Sequence, residues 1–300
     1  MLAKVRAFFH QRNVLEVDVP CLSRSACVDA HIDLIPALFA GNAACRLHSS
    51  PEYGMKRLLA EGIGDIYQLS HVFRDGEVGH KHNPEFMMAE WYRVGMDFQD
   101  LMEETADFAM LFLGNLPRAY ISYRQAFIQY AGFDYFTTST EALYSYLQER
   151  ELTFAGLDIT DRDALLNLIL GIVIEPQLGK EGLCLLCYYP STQAALAQTQ
   201  IIDGEPVAER FELYYKGVEL ANGYHELANA AEQRQRLIES NEHRVRLGKQ
   251  ELPIDENFLK ALEQGLPDCC GVAVGFDRLI MLRHHAPSLT EVLPFTWQDA

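Results

Sequence analysis

Three separated segments of the chain carry charged and aromatic residues at alternate positions of stretches that read as β-strands. They cover residues 73–93, 210–227 and 271–282, and hairpin turns or long connections join their strands. Stretches with helical spacing, such as residues 2–12 and 97–114, accompany them. Strands joined in this way predict an antiparallel β-sheet flanked by helices, which is an α+β fold.

The first segment places Phe86, Glu90 and Tyr92 on one face of a strand over residues 85–93. A buried carboxylate needs a hydrogen-bond or ion-pair partner, so this face is unsuited to an apolar core. It suits a site that stacks a base at one end and holds an amine at the other. Arg74, which ends the preceding strand, would reach the same face, and its guanidinium can form bidentate hydrogen bonds with a phosphate. A solvated hairpin with an Arg–Glu ion pair explains this segment equally well.

The second segment reads as a hairpin that turns at residues 216–217. That turn predicts that Tyr214 pairs with Glu219, and that Glu212 lies diagonal to Glu219 on the same face. Two such carboxylates repel each other unless a cation lies between them, and Mg²⁺ bound to a nucleotide triphosphate is the usual one. Glu226 follows the hairpin and is placed to face a ligand ammonium. The alternative is that these acidic residues are merely exposed.

The third segment combines glycines with a charged helix start. Strand alternation puts Gly271, Ala273 and Gly275 on one face, where glycine lets a flat ligand approach the backbone. Asp277 begins a helix, and Arg278 in its first turn points a permanent positive charge back along the sheet. We expect this face to abut the ligand.

The charge balance argues against a protein that coats nucleic acid. The chain has 42 acidic and 25 basic side chains, for a net charge of −17, and it contains no run of Lys and Arg. The longest nearly apolar stretch, residues 164–174, is far shorter than the roughly 20 residues that span a bilayer. The N-terminus has no signal-peptide pattern, so we expect no membrane span and a cytoplasmic protein.

The cysteines point to a reducing compartment rather than to disulfides. Seven is an odd number, and Cys184 and Cys187, despite their C-x-x-C spacing, lie in an apolar run typical of a buried strand. Core cysteines are therefore favoured over a zinc site. Neither G-x-G-x-x-G nor the P-loop pattern occurs, so any use of ATP would depend on another fold.

Taken in order, the segments resemble the signature motifs of class II aminoacyl-tRNA synthetases. Residues 1–20, closed by Pro20, match motif 1; residues 66–93, with FRDGE, HNPEF and EWY, match motif 2; residues 271–285, with GVAVGFDRL, match motif 3. SPEYGMKRLL, STQAALAQ and ELANGYHEL look like the lysyl branch. Because no anticodon-binding barrel precedes motif 1, the chain resembles the stand-alone lysyl-tRNA synthetase paralogues that attach (R)-β-lysine to elongation factor P.

The resemblance implies a single class II catalytic domain over residues 1–300, an antiparallel sheet flanked by helices. It also implies a homodimer built on motif 1. The expected reaction uses ATP and Mg²⁺ to convert (R)-β-lysine to an aminoacyl-adenylate. The aminoacyl group then passes to the ε-amino group of a lysine on elongation factor P. Charging of tRNA is not expected.

The resemblance also assigns roles by position. Arg74 and Arg278 would stabilise the reacting phosphates. The other expected contacts with ATP come from Asp75, Gly76, Asn83, Phe86, Glu219, Leu220 and Gly275. The expected contacts with the amino acid come from Ser50, Pro51, Glu52, Glu90, Tyr92, Asn222, Glu226 and Ala273. Glu212 and Glu219 would hold Mg²⁺, Glu52 would meet the backbone amine, and Tyr92 with Glu226 would hold the distal ammonium.

Two rival functions remain open. One is a truncated lysyl-tRNA synthetase that still charges tRNA, against which the missing anticodon domain and the absence of a basic stretch argue. The other is a catalytically silent regulatory paralogue. Loss of Arg74, Arg278 or a magnesium carboxylate would favour it, and the sequence retains all of them.

Overall fold

Helices and strands alternate along the chain, which a computed structural model describes over residues 1–25, 27–41, 43–154 and 157–300. The helices are α1 (Leu2–His10), α2 (Glu52–Ala60), α3 (Phe98–Leu113), α4 (Tyr123–Ala126), α5 (Thr140–Glu149), α6 (Arg162–Ile169), α7 (Ala230–Arg246), α8 (Glu256–Gly265) and α9 (Phe276–Arg283). The strands are β1 (Leu15–Glu16), β2 (Leu22–Ser23), β3 (Pro36–Phe39), β4 (Ala43–Leu47), β5 (Ile66–Phe73), β6 (Glu85–Val94), β7 (Arg118–Ser122), β8 (Leu183–Pro190), β9 (Thr199–Ile202), β10 (Glu205–Tyr215), β11 (Val218–His225) and β12 (Cys269–Gly275). No helix among these residues combines the length and the apolarity needed to cross a bilayer.

The chain divides into two compact units, and the first comprises Met1–Gly114 and Glu226–Ala300. Its strands pair in the order β1-β5-β6-β12, and a separate sheet has the order β2-β4-β3. The β5–β6 and β6–β12 pairs are antiparallel, whereas β1 runs parallel to β5. The prediction of one domain over residues 1–300 stays a prediction.

An aromatic cluster forms the core of the first unit. Phe9 of α1 stacks on Tyr67 of β5 with ring centroids 4.1 Å apart, and Trp91 of β6 lies 5.0 Å from Phe108 of α3. Trp91 and Phe108 are fully buried. Because side chains alternate along β6, the odd-numbered residues face this core and the even-numbered residues face the opposite side. The core therefore orients the polar face that the sequence predicted.

The second unit comprises Asn115–His225. Its strands pair in the order β11-β10-β8-β7, and β9 pairs with β10. Helices α4 to α6 contribute to an apolar core with β8 and β10. Cys184 and Cys187 are buried in β8, so the prediction of core cysteines is confirmed.

The expected α+β class is confirmed, with two differences at the strand edges. The β7–β8 pair is parallel, like β1–β5, because a long connection rather than a hairpin joins each of these pairs. Strand β1 is short, Leu15–Glu16, and beyond it the backbone N–H of Val19 donates a hydrogen bond of 2.8 Å to the side-chain oxygen of Gln68. Helix α6 ends at Ile169 and continues as a π-helical turn over Leu170–Ile174.

Candidate active site

One face of the first unit's sheet carries the residues expected to bind the ligand. The register places Ala273 opposite Glu90 and Gly271 opposite Tyr92. Tyr92 donates a 2.7 Å hydrogen bond from Oη to Glu90 Oε1, which confirms that both side chains share this face. Phe86 lies six residues from Tyr92 on the same strand, so the face is roughly 20 Å long. That length accommodates an amino acid joined to a nucleotide.

Glu90 lies buried at the amino-acid end of this face. Besides the bond from Tyr92, its Oε2 accepts a 2.8 Å hydrogen bond from Ser50 Oγ. Ser50 precedes α2, and its Oγ also accepts a bond from the backbone N–H of Glu52, so the helix start positions the hydroxyl. Burial, and next the negative charge of Glu52, raise the pKa of Glu90 to about 8, although the bonds from Tyr92 and Ser50 oppose this. Glu90 therefore holds a proton at neutral pH in the ligand-free protein.

Two further carboxylates, Glu52 and Glu226, meet at the buried ammonium of Lys56. Lys56 Nζ lies 2.6 Å from Glu52 Oε1 and 2.6 Å from Glu226 Oε2. The Lys56 side chain is 0% exposed and that of Glu226 is 1% exposed, so neither charge is solvated by bulk water. Burial by itself would lower the pKa of Lys56, but the charges of Glu226 and Glu52 outweigh it and raise the pKa. Lys56 is thus a permanently charged part of the pocket.

Gly271 provides the space in which Tyr92 and Glu226 meet. A Cβ atom at this position would lie 2.3 Å from Tyr92 Cε1 and 2.4 Å from Glu226 Oε1. No real Cβ makes such contacts, so only glycine fits there. Ala273, two residues further along the same face, is only partly buried beside Glu90. Buried Pro51 completes the start of α2 next to Ser50.

The charges of this pocket do not cancel. Glu52 and Glu226 share the ammonium of Lys56, whereas Glu90 accepts hydrogen bonds from the neutral hydroxyls of Ser50 and Tyr92. If Glu90 ionises, these three carboxylates and Lys56 together carry two net negative charges. Buried charge without a partner is costly, so the pocket favours a ligand that brings positive charge. A ligand with two ammonium groups would balance it.

Arg74 and Phe86 lie together at the opposite end of the face. The Arg74 guanidinium carbon lies 5.1 Å from the centre of the Phe86 ring. Its Nε is buried and has no hydrogen-bond partner among the residues that the structure describes, and Glu77 is 3.8 Å from Nη1. A buried N–H of this kind requires an acceptor, and phosphate oxygens suit a guanidinium. The predicted approach of Arg74 to this face is confirmed.

Motif 3 reaches the same end through the first turn of α9. Arg278 Nη2 lies 2.9 Å from Nε2 of His82, and its Nε donates to the carbonyl of Lys81. Burial, and next the charge of Arg278, lower the pKa of His82, so the imidazole is neutral and can accept from the guanidinium. Asp277 accepts a 2.8 Å bond from the backbone N–H of Met87 and so fastens α9 to β6. Gly275, at the start of α9, has open space around it apart from Arg278.

The loop between β5 and β6 holds the remaining residues expected at the nucleotide. The backbone N–H of Asp75 donates to the carbonyl of Asp33, and Gly76 turns the chain with a φ of +75°. The Asn83 amide nitrogen donates to the carbonyl of Glu85, and its oxygen accepts from the backbone N–H of Trp297. The Asn83 side chain thus holds the loop, and its contact with ATP stays a prediction.

The predicted metal ligands lie in the second unit. Tyr214 pairs with Glu219, as predicted, and its Oη donates to Glu212 Oε2. Glu212 also accepts 2.5 Å and 2.6 Å bonds from Tyr189 and Arg210. No group of three or more His, Cys, Asp and Glu side chains within the described ranges could hold a metal ion. Mg²⁺ usually takes only one or two protein carboxylates, and its binding by Glu212 and Glu219 stays a prediction.

The same hairpin contains two more of the expected site residues, Leu220 and Asn222. The register shifts between Leu213 and Tyr214, which leaves Leu220 as the extra residue of a β-bulge. A bulge places backbone groups outside the regular ladder, and the contact of Leu220 with ATP stays a prediction. The Asn222 amide accepts from Arg210 and donates to the Tyr224 hydroxyl, and its role toward the amino acid stays a prediction.

Sequence reasoning missed two residues of the first unit's site. Lys56 follows Glu52 by four residues on a helix, a spacing that signals an ion pair, yet its second partner, Glu226, is far away in the chain. The second is His82, whose contact with Arg278 has no signal in the sequence.

Comparison with known proteins agrees with this geometry. The sequence profile of the family described as "tRNA synthetases class II (D, K and N)" matches residues 1–298. Relatives include proteins named "Elongation factor P--(R)-beta-lysine ligase" from Salmonella typhi, Salmonella gallinarum and Salmonella dublin. Each is 44% identical to this chain over 301 residues, which cover 99% of the chain and 92% of the relative. On these matches, the chain belongs to the class II tRNA synthetases of the D, K and N group.

Proposed function

We propose that this protein is an ATP-dependent ligase that activates (R)-β-lysine and transfers it to a lysine of elongation factor P. The observation that carries the proposal is the buried pocket in which Glu52 and Glu226 share the ammonium of Lys56 and act electrostatically on buried Glu90. Once a ligand ammonium favours the ionised form of Glu90, three carboxylates and Lys56 leave two net negative charges, which the two ammonium groups of a diamino acid balance. The isomer and the acceptor protein follow from the names of the 44% identical relatives.

In the first step, the substrate carboxylate attacks the α-phosphorus of ATP, an O–P bond forms, and the bond to pyrophosphate breaks. The buried Nε of Arg74 would donate to the α-phosphate, where negative charge develops. Phe86 would stack on the adenine, and Arg278, held by His82, would bind the γ-phosphate. The ammonium contacts fix the other end of the substrate, so the residues act by positioning and charge stabilisation.

In the second step, the ε-amine of the acceptor lysine attacks the carbonyl carbon of the adenylate. An amide bond forms, AMP leaves, and the amine loses a proton. Glu212 and Glu219 would hold Mg²⁺, which neutralises phosphate charge when it is bound. Arg210 and two tyrosine hydroxyls fix the orientation of Glu212 before any metal arrives.

We also propose that the enzyme is a cytoplasmic homodimer that does not charge tRNA. The seven cysteines are free, as in proteins of reducing compartments. The net charge of −17 disfavours binding to an RNA backbone.

ATP–pyrophosphate exchange tests the first step, and the mass of elongation factor P after incubation with enzyme, ATP and (R)-β-lysine tests the second. We expect exchange with (R)-β-lysine and a gain of one β-lysyl group on the acceptor, with the Arg74→Ala protein as the blank. Exchange without acceptor modification, together with aminoacylation of lysine tRNA, would favour a truncated synthetase. Absence of exchange with every diamino acid would favour a silent paralogue.

A further inference from the structure

The ammonium of Lys56 holds a position that no solvent reaches. Its side chain is 0% exposed, and both of its carboxylate partners lie at 2.6 Å. Glu52 and Lys56 share α2, whereas Glu226 is fastened elsewhere by a 3.0 Å bond from its backbone N–H to the carbonyl of Cys269. Lys56 thus ties the start of α2 to the end of the pocket formed with β12.

We propose that Lys56 is a specificity-determining positioning residue, which clamps Glu52 and Glu226 and sets the number of ammonium groups that the pocket accepts. This inference rests on the proposed function, because it takes both carboxylates as ligands of the substrate's amines. It adds that the enzyme's own ammonium stays in the pocket throughout the reaction.

The geometry supports a clamp. Because Lys56 Nζ lies 2.6 Å from an oxygen of each partner, those two oxygens are no more than twice that distance apart. Two buried carboxylates this close repel each other unless a cation lies between them. Lys56 supplies that cation, so both carboxylates can stay ionised in the pocket.

The charge balance of the pocket supports the number of ammonium groups that it accepts. Without Lys56, two ammonium groups would face three buried carboxylates, and one carboxylate would take up a proton in place of a partner. A protonated carboxyl group no longer requires an ammonium. An apolar analogue of the substrate would therefore be tolerated, and a diamino acid would be bound less well.

Pyrophosphate exchange with two substrates of equal shape measures this effect. The pair is (R)-β-lysine and (R)-3-aminoheptanoic acid, in which a methyl group replaces the distal ammonium. We expect Lys56→Met to lower the ratio of the two kcat/KM values at least tenfold and to leave the KM for ATP within twofold. Lys56→Arg, which keeps the charge, should preserve more of the ratio than Lys56→Met. Lys249→Met is the matched control, because Lys249 also has a carboxylate partner, Asp33 at 2.8 Å, but lies outside the pocket.

A ratio for Lys56→Met within twofold of the parent would overturn the inference and leave the proposed function intact. Failure of the parent to activate any diamino acid would instead overturn the proposed function. If Lys56→Met does not fold, NMR of the parent labelled with ¹⁵N-lysine decides. A slowly exchanging ammonium signal that the Lys56→Arg protein lacks belongs to Lys56. We expect this signal to persist when (R)-β-lysine binds to the parent. Its loss on binding would show that Lys56 is displaced, against the inference.

Discussion

At the scale of single residues, the environment of Glu90 couples binding to protons. Its carboxyl group is buried between Ser50 and Tyr92, and burial followed by the charge of Glu52 raises its pKa to about 8. An ammonium placed beside Glu90 favours the ionised form. Binding of a diamino acid at neutral pH should therefore release a proton, and affinity should rise as the pH approaches 8.

The same pKa predicts how stability depends on pH. The folded protein keeps the Glu90 proton between the unfolded pKa of 4.5 and about 8, whereas the unfolded chain has lost it, so stability falls as the pH rises through this range. Glu90→Gln removes the titrating group, and we expect the loss of unfolding free energy from pH 6 to pH 8 to shrink by about 2–3 kcal/mol. Urea unfolding of both proteins at the two pH values measures it. An identical loss in both would mean that Glu90 is ionised in the free protein.

We expect Ala273 to determine whether the enzyme prefers (R)-β-lysine or α-lysine. It lies opposite Glu90 on the ligand face, where we expect its methyl group to narrow the pocket relative to glycine. One methyl group discriminates by about 1–3 kcal/mol. Ala273→Gly should therefore lower the ratio of kcat/KM for (R)-β-lysine over α-lysine by roughly tenfold, measured by pyrophosphate exchange. A ratio within twofold of the parent would mean that the methyl group touches no ligand.

At the scale of elements, the packing of α2 against α8 and against the segment after β1 positions Glu52 and Lys56. A Cβ at Gly54 would lie 2.9 Å from Val19 Cβ, so glycine within α2 lets the helix that carries Glu52 approach the segment after β1. Tyr53 stacks on Phe258 of α8 at 4.1 Å between ring centres, which secures the other side of α2. The close approach of the α2 backbone to Val19, rather than helix propensity, explains why glycine occupies position 54.

Gly271 on β12 gives an element-scale prediction. Gly271→Ala would push its methyl group into Tyr92 and Glu226, at 2.3 Å and 2.4 Å. We expect activation of the diamino acid to fall at least a hundredfold while ATP binding, followed by fluorescence titration, changes little. Gly275→Ala is the comparison, since the nearest atom to its Cβ would be 3.6 Å away. That variant should keep the KM for the amino acid, and equal losses in the two variants would contradict the assignment of Gly271 to the pocket.

At the scale of the whole molecule, the segment matched to motif 1 exposes apolar residues. The side chains of Leu2 and Leu15 are 39% and 51% exposed in a single chain. A two-fold interface over this segment would bury them, as the resemblance to class II enzymes implies.

We expect light scattering after size exclusion to give twice the chain mass of 34.0 kDa. Leu15→Glu should shift the mass toward 34.0 kDa, because a charge in an apolar interface is costly. Leu38→Glu is the control, since Leu38 is 75% exposed but lies outside motif 1. A parent mass of one chain would contradict the dimer.

Alternation and turn chemistry are local, and so the sequence alone determined which residues share a face. Phe86, Glu90 and Tyr92 could be placed together from their spacing, and the turn at residues 216–217 set the pairing of Tyr214 with Glu219. The motif order likewise identified the family. These features depend on neighbours a few residues apart, which the sequence displays directly.

Only the tertiary structure decided the contacts that set the chemistry of the pocket. Lys56 could be paired with Glu52 from helical spacing, but its contact with Glu226 depends on how α2 packs against segments remote in sequence. The proton on Glu90 and the need for glycine at 271 follow from the same packing. Desolvation and steric fit depend on the distances between segments remote in sequence, and no local pattern of residues encodes them.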